Sequence, residues 1–321
     1  MRIINLNDSV PTGLLPSVAT IGLFDGVHCG HRYLIRHVVE EARASSMQSM
    51  VITFDCPPRQ VIQSDWHPEL LCTSTRKLEL LSGTSIDSVS ILHFDKAMAQ
   101  LSARTFMEEV LQRQLNVRKL VIGYDNRFGH NRSEGFEDYV RYGREIGIEV
   151  VRHHAFSVDG ETVSSSLVRR LIKEGEVRRA SECLGYHYQL CGRVVGGYQE
   201  GRKLGFPTAN ITVSDDNLLI PAAGVYAVMA CCSGSDELRP AMMNIGTRPT
   251  YGGTGLSLEV NIFDFHEDLY DKELSVLFLQ RIREERTFGS PAELREQLMA
   301  DREQIRQLIE QDSKQNNIRK R

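Results

Sequence analysis

The spacing of apolar residues differs between the two halves of the chain. From residue 19 to about residue 156, short apolar runs alternate with segments whose apolar positions recur at helical spacing. The predicted strands of this half are residues 19–24, 50–54, 89–94, 119–123 and 149–153. Predicted helices include residues 34–42 and a helix over residues 102–115 that a serine caps. This alternation predicts right-handed βαβ units and a parallel, doubly wound sheet.

After about Gly185 the pattern changes to short extended runs that turn residues separate. The predicted strands here are residues 188–195, 224–232, 241–245, 258–265 and 274–279. Strands without intervening helices predict a small antiparallel barrel or sandwich. At residues 290–293 a serine cap, a proline and a glutamate then predict a terminal helix. Its apolar stripe, expected to pack on the barrel, comprises Leu294, Leu298, Met299, Ile305 and Leu308.

These patterns predict two domains, a Rossmann-like α/β domain at residues 1–185 and a small β-barrel with a terminal helix at residues 186–321. A length of 321 residues exceeds the usual size of one domain, which fits this division. The formal net charge of −4 argues against a dedicated nucleic-acid binder. Apolar runs are too short to predict a membrane span. The seven cysteines are scattered without a C-x-x-C pair, which favours reduced thiols and a cytoplasmic protein. The oligomeric state stays open.

A turn rich in glycine and histidine follows the first predicted strand of the α/β half. Residues 22–31 read GLFDGVHCGH, and a helix is predicted from about His31. Glycine admits close backbone approach, the helix N-terminus offers N–H groups, and the imidazoles of His28 and His31 add donors, so the turn suits a phosphate. Two alternatives are that both histidines cap the helix, or that they bind a metal with Cys29. A G-x-G-x-x-G dinucleotide fingerprint is not matched.

A run of serines near the end of this half offers a second candidate phosphate contact. Residues 163–170 read VSSSLVRR at a predicted helix start. Serines there ordinarily cap the helix, and Ser164 and Ser165 can do so. With Arg169 one turn further on, the same hydroxyl groups can hold a departing pyrophosphate.

These two segments resemble the nucleotidylyltransferase superfamily, with its H-x-G-H turn and its I-S-S-T-x-x-R segment. Three stretches narrow the match to the bacterial bifunctional riboflavin kinase/FAD synthetases, which they resemble. They are residues 24–31 around the H-x-G-H turn, the T-F-D at residues 53–55 and the GYDNRFG at residues 123–129. The resemblance spans nearly the whole chain. It implies that FMN phosphate attacks the α-phosphorus of ATP. The implied ATP-binding residues of this half are Gly22, Phe24, His28, Gly30, His31, Ser164, Ser165 and Arg169.

The resemblance also assigns a pocket and exposes two departures in the same half. Asp125, Arg127 and Phe128 are implied to line the flavin or adenosine pocket, with a solvated loop charge as the alternative for Arg127. The family commonly has Pro-His-Pro after the T-F segment, whereas this chain reads Cys-Pro-Pro at residues 56–58, so an imidazole is missing at Pro57. Ser166 replaces the usual threonine.

The barrel half contains a second set of motifs. Residues 202–210 read RKLGFPTAN, residues 244–250 read NIGTRPT, and Glu259 lies within a predicted strand. Each alone suits a turn or the polar face of a strand. Together they resemble the riboflavin kinases. That resemblance implies that Gly205, Thr208 and Asn210 bind ATP, and that Thr208 and Asn210 also bind Mg²⁺, which prefers oxygen ligands.

By the same resemblance, Glu259 accepts the proton of the riboflavin 5′-hydroxyl. Strand alternation places Glu259 on the opposite face from Leu258 and Val260. Asn261 stands where histidine is common, and Asp271 replaces a glycine. Residues 201–204 are either a mobile flap or a plain exposed loop.

The expected function is phosphorylation of riboflavin to FMN and adenylylation of FMN to FAD, with ATP and Mg²⁺ and with release of pyrophosphate. Two alternatives stay open. One is a riboflavin kinase with a weakened adenylyltransferase half, and the other is a flavin- or nucleotide-binding protein without turnover.

Overall fold

A computed structural model describes residues 1–6, 13–124, 126–196, 201, 204–235, 237–250 and 253–319. The chain divides into two compact units, Met1–Leu167 and Val168–Arg321. This division falls inside a helix, upstream of the predicted domain boundary at residues 185 and 186. Where one functional half ends and the next begins stays a prediction.

The first unit is built on a parallel sheet. Its strands are β1 (Arg2–Asn5), β2 (Ser17–Ile21), β3 (Gln48–Phe54), β4 (Ser88–Leu92), β5 (Val117–Ile122) and β6 (Glu149–Arg152). They lie in the order β1-β4-β3-β2-β5-β6, and every neighbouring pair is parallel. The chain runs from β2 to β3 and β4 on one side and returns to β5 and β6 on the other. The predicted doubly wound sheet is confirmed, and its switch point, where such sheets bind ligands, lies between β2 and β5.

Helices connect and cover these strands. Their bounds are α1 (Cys29–Ala44), α2 (Pro58–Ile62), α3 (Ser74–Ser82), α4 (Lys96–Ala99), α5 (Ala103–Thr105) and α6 (Phe136–Ile146). Two further helices follow in the chain: α7 (Ser165–Lys173) crosses the division between the units, and α8 (Val177–Leu184) belongs to the second unit. The short α5 continues as a π-helix over Phe106–Gln114, and a small hairpin is formed by β7 (Ser157–Val158) and β8 (Glu161–Thr162). Ser102 accepts the Thr105 N–H at 3.1 Å, which confirms the predicted serine cap.

The second unit contains a closed antiparallel barrel. Its strands are β9 (Gln189–Val195), β10 (Ala209–Val213), β11 (Gly224–Cys232), β12 (Arg239–Thr250), β13 (Gly253–Ile262) and β14 (Glu273–Arg283). Around the barrel the order is β10-β13-β12-β11-β14-β9, and β9 pairs with β10 to close it. Of the two predicted alternatives, a barrel or a sandwich, the barrel is confirmed. Strand β10 was not predicted, because its residues had been assigned to a turn motif.

The terminal helix α9 (Pro291–Arg319) covers one face of this barrel. Ser290 Oγ accepts the Glu293 N–H at 3.3 Å, and Glu293 accepts the Gly289 N–H at 2.9 Å, so the predicted cap is present. Ile305 is fully buried against barrel residues. The predicted stripe is wrong at Met299, which is 57% exposed. Successive helix positions are about 100° apart, so Leu298 can pack on the barrel only if Met299 faces away.

Within the described residues, the helices are too short or too polar to cross a lipid bilayer.

We expect Gly143→Ala to destabilise the first unit. Gly143 is buried in α6, and a Cβ there would overlap the Ile148 carbonyl oxygen and lie 2.8 Å from Val150 Cγ2. Overpacking of this kind costs about 1–3 kcal/mol, against a gain of about 1 kcal/mol in helix propensity. Thermal unfolding should show a lower Tm than wild type. The matched control is Gly83→Ala, whose Cβ would meet only ordinary contacts of 3.5 Å or more. An unchanged Tm for Gly143→Ala would contradict the packing described.

Candidate active sites

The turn after β2 is held in a conformation that few side chains adopt. All of β2 is buried, and Phe24 and Gly26 then take φ values of 52° and 74°. Phe24 is 1% exposed, so burial of its ring stabilises a left-handed backbone that is unfavourable for it. The chain turns sharply and enters α1 at Cys29, at the carboxyl edge of the sheet.

His28 caps α1 and is almost fully buried, with 4% of its surface exposed. Its Nδ1 accepts the His31 N–H at 3.2 Å, and its ring stacks on His31 with centroids 3.6 Å apart. Since Nδ1 is an acceptor, the neutral imidazole carries its hydrogen on Nε2, where it can be donated to an anion. The capping alternative and the phosphate-binding prediction are therefore compatible. A cap fixes the ring that would meet the phosphate.

Asp25 holds this turn in place through hydrogen bonds to the segment around Leu71. The sequence alone did not indicate this role. The carboxylate is 4% exposed and accepts the Leu71 N–H at 2.9 and 3.1 Å. The Gly26 N–H meets Cys72 Sγ at 3.3 Å. Burial, with the charge of Asp25, raises the pKa of the Cys72 thiol to about 12, so it stays protonated beside the carboxylate. Within the described chain, no group of three or more His, Cys, Asp and Glu side chains is arranged to hold a metal ion.

The serine segment meets the same turn. Ser165 Oγ donates to the Asp25 carbonyl at 3.1 Å, and Ser164 Oγ caps α7 by accepting the Leu167 N–H at 3.2 Å. The two segments pack closely at Gly30, where an added Cβ would lie 2.9 Å from the Val163 carbonyl oxygen and 3.1 Å from His28 Nδ1. Two motifs about 130 residues apart in sequence are thus brought together, and the N-termini of α1 and α7 adjoin one turn. Arg169 lies one turn further along α7.

The loop after β5 approaches the end of β2 across the switch point. The Asn126 amide donates to the Ile21 carbonyl, which ties the two strand ends together. Phe128 stacks on Tyr139 at 4.2 Å and packs against the core, so it has a structural role beside its predicted place in the flavin pocket. Arg127 is exposed. Asp125 lies outside the described residues.

An imidazole is present near the position where Pro57 departs from the family pattern. His93 follows β4, and its Nδ1 lies 2.6 Å from Asp55 Oδ2 at the end of β3. The hydrogen bond and charge of Asp55 raise the pKa of His93. Pro57 itself precedes α2 as its cap residue. His93 is 59% exposed, and no signal in the sequence alone pointed to it.

In the barrel unit, a row of polar residues crosses three strands. Asn210 on β10 is the partner of Glu259 on β13, and Glu259 is the partner of Asn244 on β12. Directly opposed residues of antiparallel strands project from the same face, so the three side chains lie side by side. Leu258 and Val260 are 5% and 1% exposed on the other face, as the alternation predicted.

A cavity of about 300 Å³ adjoins this row. Thr208 and Glu259 both line it, and Thr208 Oγ1 donates to Glu259 Oε2 at 3.4 Å. Asn261 is 6% exposed and donates to the Pro207 carbonyl at 2.6 Å, which fixes the segment before Thr208. Asn261, which stands where histidine is common in the family, therefore positions the segment before Thr208. Gly205 precedes this segment with φ +82° and open space around it, whereas residues 202 and 203 lie outside the described residues.

Arg283 forms a charged part of the cavity wall. Asp301 on α9 is 2% exposed, binds Arg283 Nε at 2.9 Å, and also accepts from Gln297 at 2.6 Å. Both carboxylate oxygens of Asp301 are thus hydrogen-bonded, which holds the Arg283–Asp301 pair in its geometry. Loss of either partner would leave a buried charge. Thr208 and Asn210 offer oxygen atoms, the ligands that Mg²⁺ prefers, so these two residues fit the implied ion together with substrate phosphates and water.

A glycine- and histidine-rich turn on a doubly wound sheet and an oxygen-rich row beside a barrel cavity are the features expected of a two-part nucleotide-dependent transferase. Comparisons with known proteins agree. Residues 12–167 match the model described as FAD synthetase, and residues 184–309 match the one described as riboflavin kinase.

Curated relatives match most of the chain. The Escherichia coli K12 bifunctional riboflavin kinase/FMN adenylyltransferase is 37% identical over 88% of this chain and 90% of its own length. The Haemophilus influenzae protein of the same name is 34% identical over 88% and 91%. A Streptococcus pneumoniae crystal structure named a macrolide-efflux protein aligns with TM-score 0.86 and 30% identity over 95% of this chain and 99% of its own. The chain belongs to the bifunctional riboflavin kinase/FMN adenylyltransferase family.

We expect Gly30→Ala to impair the adenylyl transfer of this family selectively. A Cβ at Gly30 must displace either the Val163 carbonyl or the His28 ring, and shifts near 1 Å at a site can cost about 10²-fold in rate. FAD formation from FMN should fall by at least about tenfold, while FMN formation from riboflavin in the same preparation stays at the wild-type rate. Gly83→Ala serves as the control. Equal loss of both activities would contradict a local effect.

Proposed function

We propose that each unit carries one of the two reactions, with adenylyl transfer at the turn after β2 and phosphoryl transfer at the barrel cavity. The overall activity is phosphorylation of riboflavin to FMN and adenylylation of FMN to FAD, with ATP as donor and Mg²⁺ as metal. The hydrogen bond from Ser165 to the Asp25 carbonyl carries the first assignment, because it unites both phosphate-binding motifs.

For adenylyl transfer, a phosphate oxygen of FMN attacks the α-phosphorus of ATP, and the bond from that phosphorus to the bridging β-phosphate oxygen breaks. His28 and His31 donate to phosphate oxygens beside the N-terminus of α1, while Ser164, Ser165 and Arg169 hold the departing pyrophosphate. The turn at Gly22, Phe24 and Gly30 gives the ATP room to approach the backbone. Charge stabilisation by positioned donors supplies most of the acceleration.

For phosphoryl transfer, the 5′-hydroxyl oxygen of riboflavin attacks the γ-phosphorus of ATP, and ADP departs. Glu259 takes the hydroxyl proton, and its hydrogen bond with Thr208 orients the carboxylate. Thr208 and Asn210 would hold Mg²⁺ jointly with the phosphates, and the bound ion would supply positive charge beside the transferred group. Gly205, which has φ +82° and open space around it, is proposed to contact ATP. The apolar part of the cavity, including Phe206 and Leu298, suits the flat flavin ring.

In this proposal, residues 1–185 perform adenylyl transfer and residues 186–321 perform phosphoryl transfer. Asp125, Arg127 and Phe128 are proposed to border the flavin of the first reaction. A cytoplasmic location is proposed from the seven cysteines, all of which are free thiols.

We expect Glu259→Gln to abolish riboflavin phosphorylation selectively. Glutamine can still accept from Thr208 but cannot take a proton, and loss of a general base costs about 10²- to 10⁴-fold in kcat. Chromatography of flavins should show FAD made from added FMN at the wild-type rate and almost no FMN made from riboflavin. The control Glu273→Gln changes an exposed carboxylate on the same barrel and should leave both rates unchanged. Normal FMN formation by Glu259→Gln would refute the base assignment.

The complementary variant is His28→Asn. Asparagine is a good N-cap, so α1 keeps its start, but the imidazole donor is lost. Loss of one such donor costs about 10²- to 10³-fold in kcat, so FAD formation should fall by that factor while riboflavin phosphorylation continues. FAD formation at the wild-type rate would exclude His28 from the site, and a loss of FMN formation as well would contradict separate sites.

A further inference from the structure

A lysine is buried behind the turn after β2, and the functional assignments above leave it without a role. Lys77 lies on α3 and is 7% exposed, although lysine is among the residues least often buried. Its Nζ donates to the Phe54 carbonyl at 3.0 Å, to Thr53 Oγ1 at 3.2 Å and to the Leu23 carbonyl at 3.4 Å.

These three acceptors specify the ammonium form. An ammonium has three N–H donors, whereas a neutral amine has two, so three acceptors satisfy only the charged group. Burial lowers the pKa of Lys77, and the charges of Asp25 and Asp55 are among the influences that oppose this shift. A positive charge is therefore held at the carboxyl ends of two strands, the edge at which such sheets bind anionic ligands.

The acceptors belong to the two strand exits that border the site. Leu23 immediately precedes Phe24 and Asp25 in the left-handed turn, and Phe54 ends β3. Thr53 Oγ1 also donates to the Leu23 carbonyl at 3.0 Å, so lysine, hydroxyl and carbonyl close one network. Just before α3, the Leu71 N–H binds Asp25. Leu71 and Lys77 therefore belong to one segment of the chain, and both donate hydrogen bonds to the turn.

We propose that Lys77 is a positioning residue for adenylyl transfer, whose ammonium clamps the turn after β2 to the end of β3 and so sets where His28 and His31 meet the ATP phosphates. This inference rests on the proposed function of the turn. Lys77 acts through the backbone of Leu23 and takes no part in bond making or breaking.

The test uses the full-length protein and three variants. Lys77→Met removes the charge and the donors at similar length, Lys77→Arg keeps both, and Lys119→Met is the matched control. Lys119 is a partly buried lysine on β5 of the same unit, paired with Glu41 at 2.7 Å, and it lies toward the amino ends of the strands. Riboflavin phosphorylation by each preparation reports whether the barrel unit is intact.

The expected result is a defect specific to ATP in FAD formation. For Lys77→Met, kcat/KM for ATP should fall by about tenfold to a hundredfold, with KM for ATP raised and KM for FMN close to wild type. Lys77→Arg should recover most of this loss, and Lys119→Met should match wild type. A purely structural role would instead lower the active fraction, reducing kcat with both KM values unchanged, and that result would overturn the proposal.

A milder variant keeps the proposal testable if Lys77→Met does not fold. Thr53→Val removes the hydroxyl that accepts from Lys77, at nearly equal volume, and should raise KM for ATP in the same direction. Wild-type kinetics of Thr53→Val, or of Lys77→Met when it folds, would overturn the proposal. Absence of FAD formation by the wild-type protein would contradict the proposed function itself, whereas normal FAD formation with unaffected Lys77 variants would contradict only the role of Lys77.

Discussion

Hydrogen bonds from side chains to backbone carbonyl groups hold the site segments of both units in place. In the first unit, Ser165 binds the Asp25 carbonyl and Asn126 binds the Ile21 carbonyl. In the barrel unit, Asn261 binds the Pro207 carbonyl. Carbonyl groups at strand ends and in turns lack ladder partners, and buried ones must be satisfied. The side chains that satisfy them also fix these segments in position.

The two units are proposed to bind a polyphosphate with different elements. In the α/β unit these are helix N-termini and imidazoles, since a parallel sheet places helix starts along one edge. The barrel aligns Asn210, Glu259 and Asn244 across adjacent strands. In the proposed function, the first arrangement stabilises charge without a general base. The second is proposed to place a carboxylate beside the hydroxyl that loses its proton.

Sequence periodicity was sufficient for both architectures, because alternation of strands and helices and runs of short strands are local signals. Contiguous motifs, together with the family resemblance, also indicated His28, His31, Ser165 and Glu259 as candidate site residues. Such local signals missed Lys77, whose acceptors Leu23 and Thr53 are 54 and 24 residues distant, and they missed His93 for the same reason. Met299 was misplaced because two adjacent apolar residues do not reveal which one faces the barrel.

We infer that the turn after β2 performs adenylyl transfer although Pro57 replaces the family imidazole. The direct measurement supplies the wild-type protein with FMN, Mg²⁺ and ATP labelled at the α-phosphate, and follows the label by chromatography. We expect label to enter FAD while unlabelled pyrophosphate is released. Label that stays in ATP, while the same preparation converts riboflavin to FMN, would contradict it and leave a riboflavin kinase alone.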